Sequence, residues 1–239
     1  MSIGVALKAA AYGAAAIFLL ACGSGQTVSS GSTPTPTPSP ERLHMVVLGD
    51  SIASGSSYGG RGANGWPYIV AQQLGLLSLP CAQPGTGYTT GDPFGSGKAY
   101  TARISCIVEA KPDIVIVEGS RNDVDGAATR QAAAEVLGKL RKELPLAKFL
   151  VIGPLYLDKT DGRTTPVNEA VKAVAASLGL TYVDTIKEAW FTGSARSFVA
   201  EDGIHPTDEG HRYLASLVVP LVARMLPAGY VIPTPSNTP

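Results

Sequence analysis

Three short apolar runs, residues 43–48, 113–118 and 148–152, constrain the fold more than any other feature of this chain. Each is too short for a buried helix and lacks the apolar–polar alternation of a half-exposed strand, so each suits a strand covered on both faces, as in a parallel sheet. Helical periodicity fills the intervals, at residues 66–74, 98–109, 127–144 and 165–178; in the third, Val136, Leu137, Leu140 and Leu144 fall on one face. Shorter strands are expected at residues 77–79 and 181–183. The alternation predicts an α/β domain with a parallel sheet of about five strands and helices on both faces. Tyr213, Leu214, Leu217, Val218, Leu221, Val222 and Met225 mark a closing amphipathic helix in which Pro220 should introduce a kink. Ligands of such sheets bind outside the carboxyl ends of the strands, so chemistry is sought in the segments just after them.

The ends of the chain read differently from the middle. A single basic residue, Lys8, precedes an apolar run of about 13 residues, short of the roughly 20 a spanning helix needs, so residues 1–21 are read as a signal peptide rather than a permanent anchor. Leu19-Leu20-Ala21-Cys22 resembles the lipobox of bacterial lipoproteins, which implies acylation of Cys22 after cleavage. Residues 22–41 include alternating Thr and Pro from Thr33 to Pro38, and read as an extended polar spacer. Cleavage by an ordinary signal peptidase and free secretion is the alternative. Residues 42–228 then form one domain, and residues 229–239 a disordered tail. The expected protein is exported, monomeric, and in contact with a membrane only through an N-terminal lipid. Lys plus Arg and Asp plus Glu both number 19, so no electrostatic footprint for nucleic acid is present. With Cys22 set aside, Cys81 and Cys106 remain as a pair in an oxidising compartment, which favours a disulfide over two buried thiols.

Gly49-Asp50-Ser51 follows the first strand directly, at a strand-to-helix turn where a hydroxyl faces the rim. A serine hydroxyl needs a base within hydrogen-bond reach, and an imidazole base needs an acceptor on its other nitrogen. His205 and Asp202, in the loop Asp202-Gly203-Ile204-His205-Pro206 before the last helix, can supply both. His44 lies at the start of the first strand, away from the expected site, and reads as structural. His211 repeats the Asp-x-x-His spacing with Asp208, but its place in the opening turns of the last helix suits a surface or packing role.

Taken in order, Gly49-Asp50-Ser51, Gly85-Thr86-Gly87-Tyr88-Thr89-Thr90, Gly119-Ser120-Arg121-Asn122-Asp123 and Asp202-Gly203-Ile204-His205-Pro206 resemble the four blocks that define SGNH (GDSL-type) hydrolases. The resemblance implies a flavodoxin-like three-layer α/β/α fold and a serine esterase needing no metal or cofactor. It casts Ser51 as nucleophile, His205 as base and Asp202 as the third triad member. The backbone amides of Ser51 and Gly87 and the side-chain amide of Asn122 become oxyanion donors. Gly85 is the rival of Gly87. The third block has both Ser120 and Arg121 between glycine and asparagine, one residue more than many members, which puts the setting of Asn122 in question. The Gly- and Ser-rich segments 54–65 and 91–97 suggest mobile rims without a large apolar lid, and favour a short-chain or carbohydrate-linked ester. Tyr58, Tyr88 and Phe198 are candidates for an acyl pocket, each with packing as the competing role. An acyltransferase would use the same residues, and a non-catalytic envelope-binding protein would use only the fold.

Overall fold

The computed structural model describes residues 42–91, 97–155 and 162–232; the signal-peptide reading, Cys22, the Pro-rich spacer and most of the tail lie outside the described residues. Five strands form one parallel sheet in the order β2-β1-β3-β4-β5. They are β1 (His44–Leu48), β2 (Leu77–Pro80), β3 (Ile114–Glu118), β4 (Lys148–Ile152) and β5 (Thr181–Val183). The order reverses between the outward steps to β2 and to β3, which leaves a crevice at the carboxyl ends of β1 and β3.

The uninterrupted apolar character of the strands follows from burial on both faces. Met45, Val47, Ile114, Ile116, Leu150 and Ile152 point to one side, where they meet α2 (Trp66–Leu74) and α6 (Asp208–Ala223). Val46, Leu48, Val115, Val117, Phe149 and Val151 point to the other, against α3 (Ile104–Ala110), α4 (Gly126–Glu143) and α5 (Thr164–Ser177). This is the expected three-layer sandwich with a core in each half.

Local chemistry sets where the helices begin. Asp125 caps α4 by accepting from the amides of Ala127 and Ala128, at 2.8 and 3.1 Å. Thr207 caps α6 through the Gly210 amide, and Asp208 and Glu209 in its first turn complement the helix dipole. The helix runs on through Pro220 to Ala223. At residues 98–109 the expected helix is split: a 3₁₀ turn covers Tyr100–Arg103 and α3 starts at Ile104. The backbone leaves helical values at Arg103 (φ −114°, ψ 7°), whose side chain turns inward instead of lying along a helix surface.

Candidate active site

The first strand must turn sharply to expose Ser51, and Gly49 makes that possible. A β-carbon there would lie 2.5 Å from the Ala53 side chain and 2.9 Å from a Glu118 carboxyl oxygen. Ser51 opens a single helical turn, α1 (Ser51–Ser54), capped by Asp50, whose Oδ1 accepts from the Ile52 amide at 2.8 Å. The Ser51 amide has no acceptor among the described residues.

His205 arrives from the far end of the chain. Its loop is folded back by the antiparallel bridge between Val199 and Pro206 and by the Ala200 amide donating to the His205 carbonyl at 2.8 Å. Gly203 takes φ +68° at the tip, where a side chain would be strained. The imidazole Nε2 lies 2.8 Å from Ser51 Oγ, and Nδ1 lies 2.6 Å from Asp202 Oδ2. The other Asp202 oxygen accepts from the amides of Ile204 and His205, at 2.9 and 3.0 Å. Burial would raise the Asp202 carboxyl, but the His205 amide, the imidazole and the Ile204 amide together outweigh it and hold the group below the usual carboxylate range. An anionic Asp202 fixes the proton on Nδ1, leaving Nε2 as acceptor for the serine hydroxyl. The Tyr58 ring lies nearly parallel to the imidazole, 5.9 Å between centroids.

The other two blocks meet beside this turn. Asn122 Nδ2 donates to the Thr86 carbonyl at 2.8 Å and to Asp50 Oδ2 at 3.3 Å. The additional residue of the third block is absorbed because Ser120 Oγ donates to the Thr86 carbonyl and accepts from the Asn122 amide. The Gly87 amide donates to the Thr90 carbonyl at 2.8 Å, so of the three expected oxyanion donors only that of Ser51 is already open. Gly87 is nonetheless required where it is, since a β-carbon would lie 2.6 Å from both Asp123 carboxyl oxygens and the Ser120 hydroxyl. Gly85 takes φ +68° and turns the chain ahead of it.

Several residues to which the sequence assigned no role organise the site. Asp123 is buried and accepts from the amides of Tyr88, Thr89 and Thr90 at 2.8, 3.0 and 3.1 Å and from both threonine hydroxyls, clamping the second block to the third. Arg103 reaches the Cys81 carbonyl, the Gly49 carbonyl at 3.2 Å and Thr86 Oγ1 at 2.7 Å, joining the ends of β1 and β2 to the second block. The expected Cys81–Cys106 disulfide closes the same segment. Asp50 and Glu118 are buried side by side behind Ser51. Burial pushes the Asp50 carboxyl up to about 6, against the lowering pull of the Ile52 amide and His205. Burial, then the Asp50 charge, drives Glu118 well above the ordinary range.

Tyr88 is fully buried against Tyr100, 5.0 Å between centroids, and Phe198 is partly buried on Tyr213, so both take the packing role named beside the pocket role; Tyr58, 40% exposed, remains at the rim. Segment 54–65 is tied down rather than loose. Asp208 accepts from the Gly60 amide at 2.8 Å and from Asn64 at 3.0 Å, and His211 Nδ1 accepts from the Trp66 amide at 3.3 Å. The His211 ring fills the space beside Gly60, leaving no room for a β-carbon, which gives this histidine the packing role expected of it. Of segment 91–97, residues 92–96 lie outside the described residues.

Residues 47–213 match the model of the GDSL-like lipase/acylhydrolase family. The chain is 29% identical over 197 residues to a GDSL lipase of Mycobacterium tuberculosis, covering 77% of this chain and 84% of that protein. In structure it is similar to a lipase/acylhydrolase from Enterococcus faecalis (TM-score 0.63, 19% identity, 79% and 100% of the two chains). It is also similar to a carbohydrate esterase family 2 enzyme of Corynascus thermopiles (TM-score 0.62, 22% identity, 81% and 68%). At these identities the structural likenesses speak for the fold.

Proposed function

We infer the reaction from one premise: the chain belongs to the GDSL-like lipase/acylhydrolase family and is an ester hydrolase. We propose that Ser51 is its nucleophile. His205 takes the hydroxyl proton through Nε2, Ser51 Oγ bonds to the ester carbonyl carbon, and the alcohol leaves with that proton. Water, deprotonated by the same imidazole, then releases the acid from the acyl-enzyme. Asp202 keeps the imidazole in the accepting tautomer and stabilises the imidazolium. The observation that carries this reading is the unbroken chain Ser51 Oγ to His205 Nε2 at 2.8 Å and His205 Nδ1 to Asp202 at 2.6 Å.

Charge developing on the carbonyl oxygen meets the Ser51 amide first. Asn122 joins by yielding its longer bond, the 3.3 Å one to Asp50, and Gly87 by releasing the Thr90 carbonyl. Both exchanges favour the charged transition state over the neutral ester, because a neutral carbonyl is the weaker acceptor.

The substrate we propose is a short-chain or carbohydrate-linked ester. An exposed aromatic ring beside the imidazole, with no apolar cover supplied by Tyr88 or Phe198, supports a small acyl group and an open leaving-group side. The likeness to a carbohydrate esterase agrees with that class. Export with acylation of Cys22 is proposed from the apolar segment, the lipobox-like tetrapeptide and the Thr-Pro spacer. Covalent labelling by a fluorophosphonate tests the nucleophile: one adduct on Ser51, absent in Ser51→Ala, is expected. Labelling that persists in that variant would remove the mechanism. Esters of graded acyl length then test the substrate class, with turnover expected to fall as the chain lengthens.

A further inference from the structure

At the opposite end of the sheet from Ser51, where β1, β3, β4 and β5 begin, lies a cavity of about 780 Å³. Leu43, Phe149, Leu180 and Leu226 give it an apolar lining, and Arg141, Lys148 and Arg224 stand around it. A smaller hollow of about 260 Å³ adjoins it through Leu43 and Asp113, and adds Arg42 and Lys111. Five Lys and Arg side chains thus line the two hollows with one carboxylate, Asp113, which lines both and already accepts the His44 amide at 2.8 Å. In a chain with 19 cations and 19 anions this concentration is one-sided. Leu146, 93% exposed, stands at the same rim in the turn between α4 and β4. Arg42, the first described residue, brings the chain into the domain here, its guanidinium held by the carbonyls of Gly75 and Leu76.

We propose that this end of the domain docks on an anionic phospholipid bilayer. The cations face the headgroup phosphates and Leu146 enters the boundary of the acyl region. Three cations and one almost fully exposed leucine lining the same cavity match an interface that is charged outside and apolar beneath; a soluble polyanion would meet the charges and leave the leucine without a partner. Each cation near an anionic surface contributes about a fivefold gain in partition, and the attraction fades with salt. Docked this way, the carboxyl ends of the strands, and with them Ser51, face away from the bilayer toward soluble or matrix-linked esters. The inference takes its setting from the exported reading above, but its test does not depend on Cys22.

The chain from residue 22 on, carrying Cys22→Ala so that neither the apolar leader nor an acyl group contributes, is sedimented with vesicles of phosphatidylcholine alone or mixed with phosphatidylglycerol. Phosphatidylglycerol should raise binding at low salt, and about 0.5 M salt should erase the gain. The triple variant Arg141→Glu, Lys148→Glu, Arg224→Glu should lower partition onto the anionic vesicles by at least about a hundredfold. Leu146→Ser should weaken binding to the anionic vesicles, and hydrolysis of a soluble ester should be unchanged in both variants. Equal binding of the parent chain to both vesicles, or an anionic preference that survives the triple reversal, would overturn the proposal. So would retention on heparin through these three residues with no lipid preference. Failure of Cys22 to become acylated in cells would bear on the anchor alone.

Discussion

Replacing Asp123 by alanine tests whether the loop carrying Gly87 is held in place from beneath. The carboxylate accepts three backbone amides and two hydroxyls. The hydroxyls can turn elsewhere, and Thr90 Oγ1 already donates to the Asn122 carbonyl at 3.0 Å. Thr89 is exposed, so water can replace the bond to its amide. The amides of Tyr88 and Thr90 remain, and each buried donor left without a partner costs about 1–3 kcal/mol, for a loss of about 3–5 kcal/mol once the weaker bonds are included. In a domain of this size that lowers the melting temperature by about 6–20 °C. Well below that temperature, kcat for a short ester should fall about tenfold or more while KM moves less, because the donor geometry matters most in the transition state. Asp123→Asn should fall between, since its NH₂ group would face an amide donor. Calorimetry and initial rates on the two variants decide the matter. A melting temperature within about 2 °C of the parent, together with unchanged kcat, would refute the clamp.

Asn122→Ala should reduce kcat by about a hundredfold to a thousandfold with little change in KM, measured on a soluble ester. Cys106→Ser opens a loop of 25 residues and should cost about 3 kcal/mol, read as a drop of about 6–12 °C in melting temperature, with a fall in kcat because Gly87 lies inside the loop. Burial holds His211 down at about 4, below the 6.5 of a free histidine, so the unfolded chain binds this proton more readily than the folded one. Its contribution is therefore complete above about pH 6.5 and is lost as pH falls toward about 4, roughly 3 kcal/mol in all. Asp50, raised to about 6, acts in the opposite sense over the same interval, so the measurement is the difference in stability between parent and His211→Gln at pH 7 and at pH 4.5. The difference should shrink on acidification; a constant difference would contradict the assignment.

The strands were legible because burial on both faces leaves a mark in composition: nothing polar interrupts Ile114–Val117. Ser51, Asp202 and His205 were legible because the resemblance supplied an order of blocks, and the loops holding them carry glycine and proline where a turn is needed. Asp123, Arg103 and Glu118 were not, although each was in plain view. A charged residue at the end of an apolar run, in a loop or on a helix reads as solvated surface, and only the packed structure reveals that these three are enclosed. Arg103 shows the same limit from another side: its periodicity fitted a helix, and the three acceptors it reaches come from segments its own neighbours in sequence do not predict. Tyr88 stood next to a site glycine, yet its ring points into the core beside Tyr100, because position along a loop says little about direction.

The last helix and the loop before it provide the imidazole and also the two side chains that fasten residues 60–66 behind Ser51. All of these lie beyond residue 200 in a chain of 239. A cut after residue 200 would therefore take away the proposed proton acceptor and the fastening of residues 60–66 together.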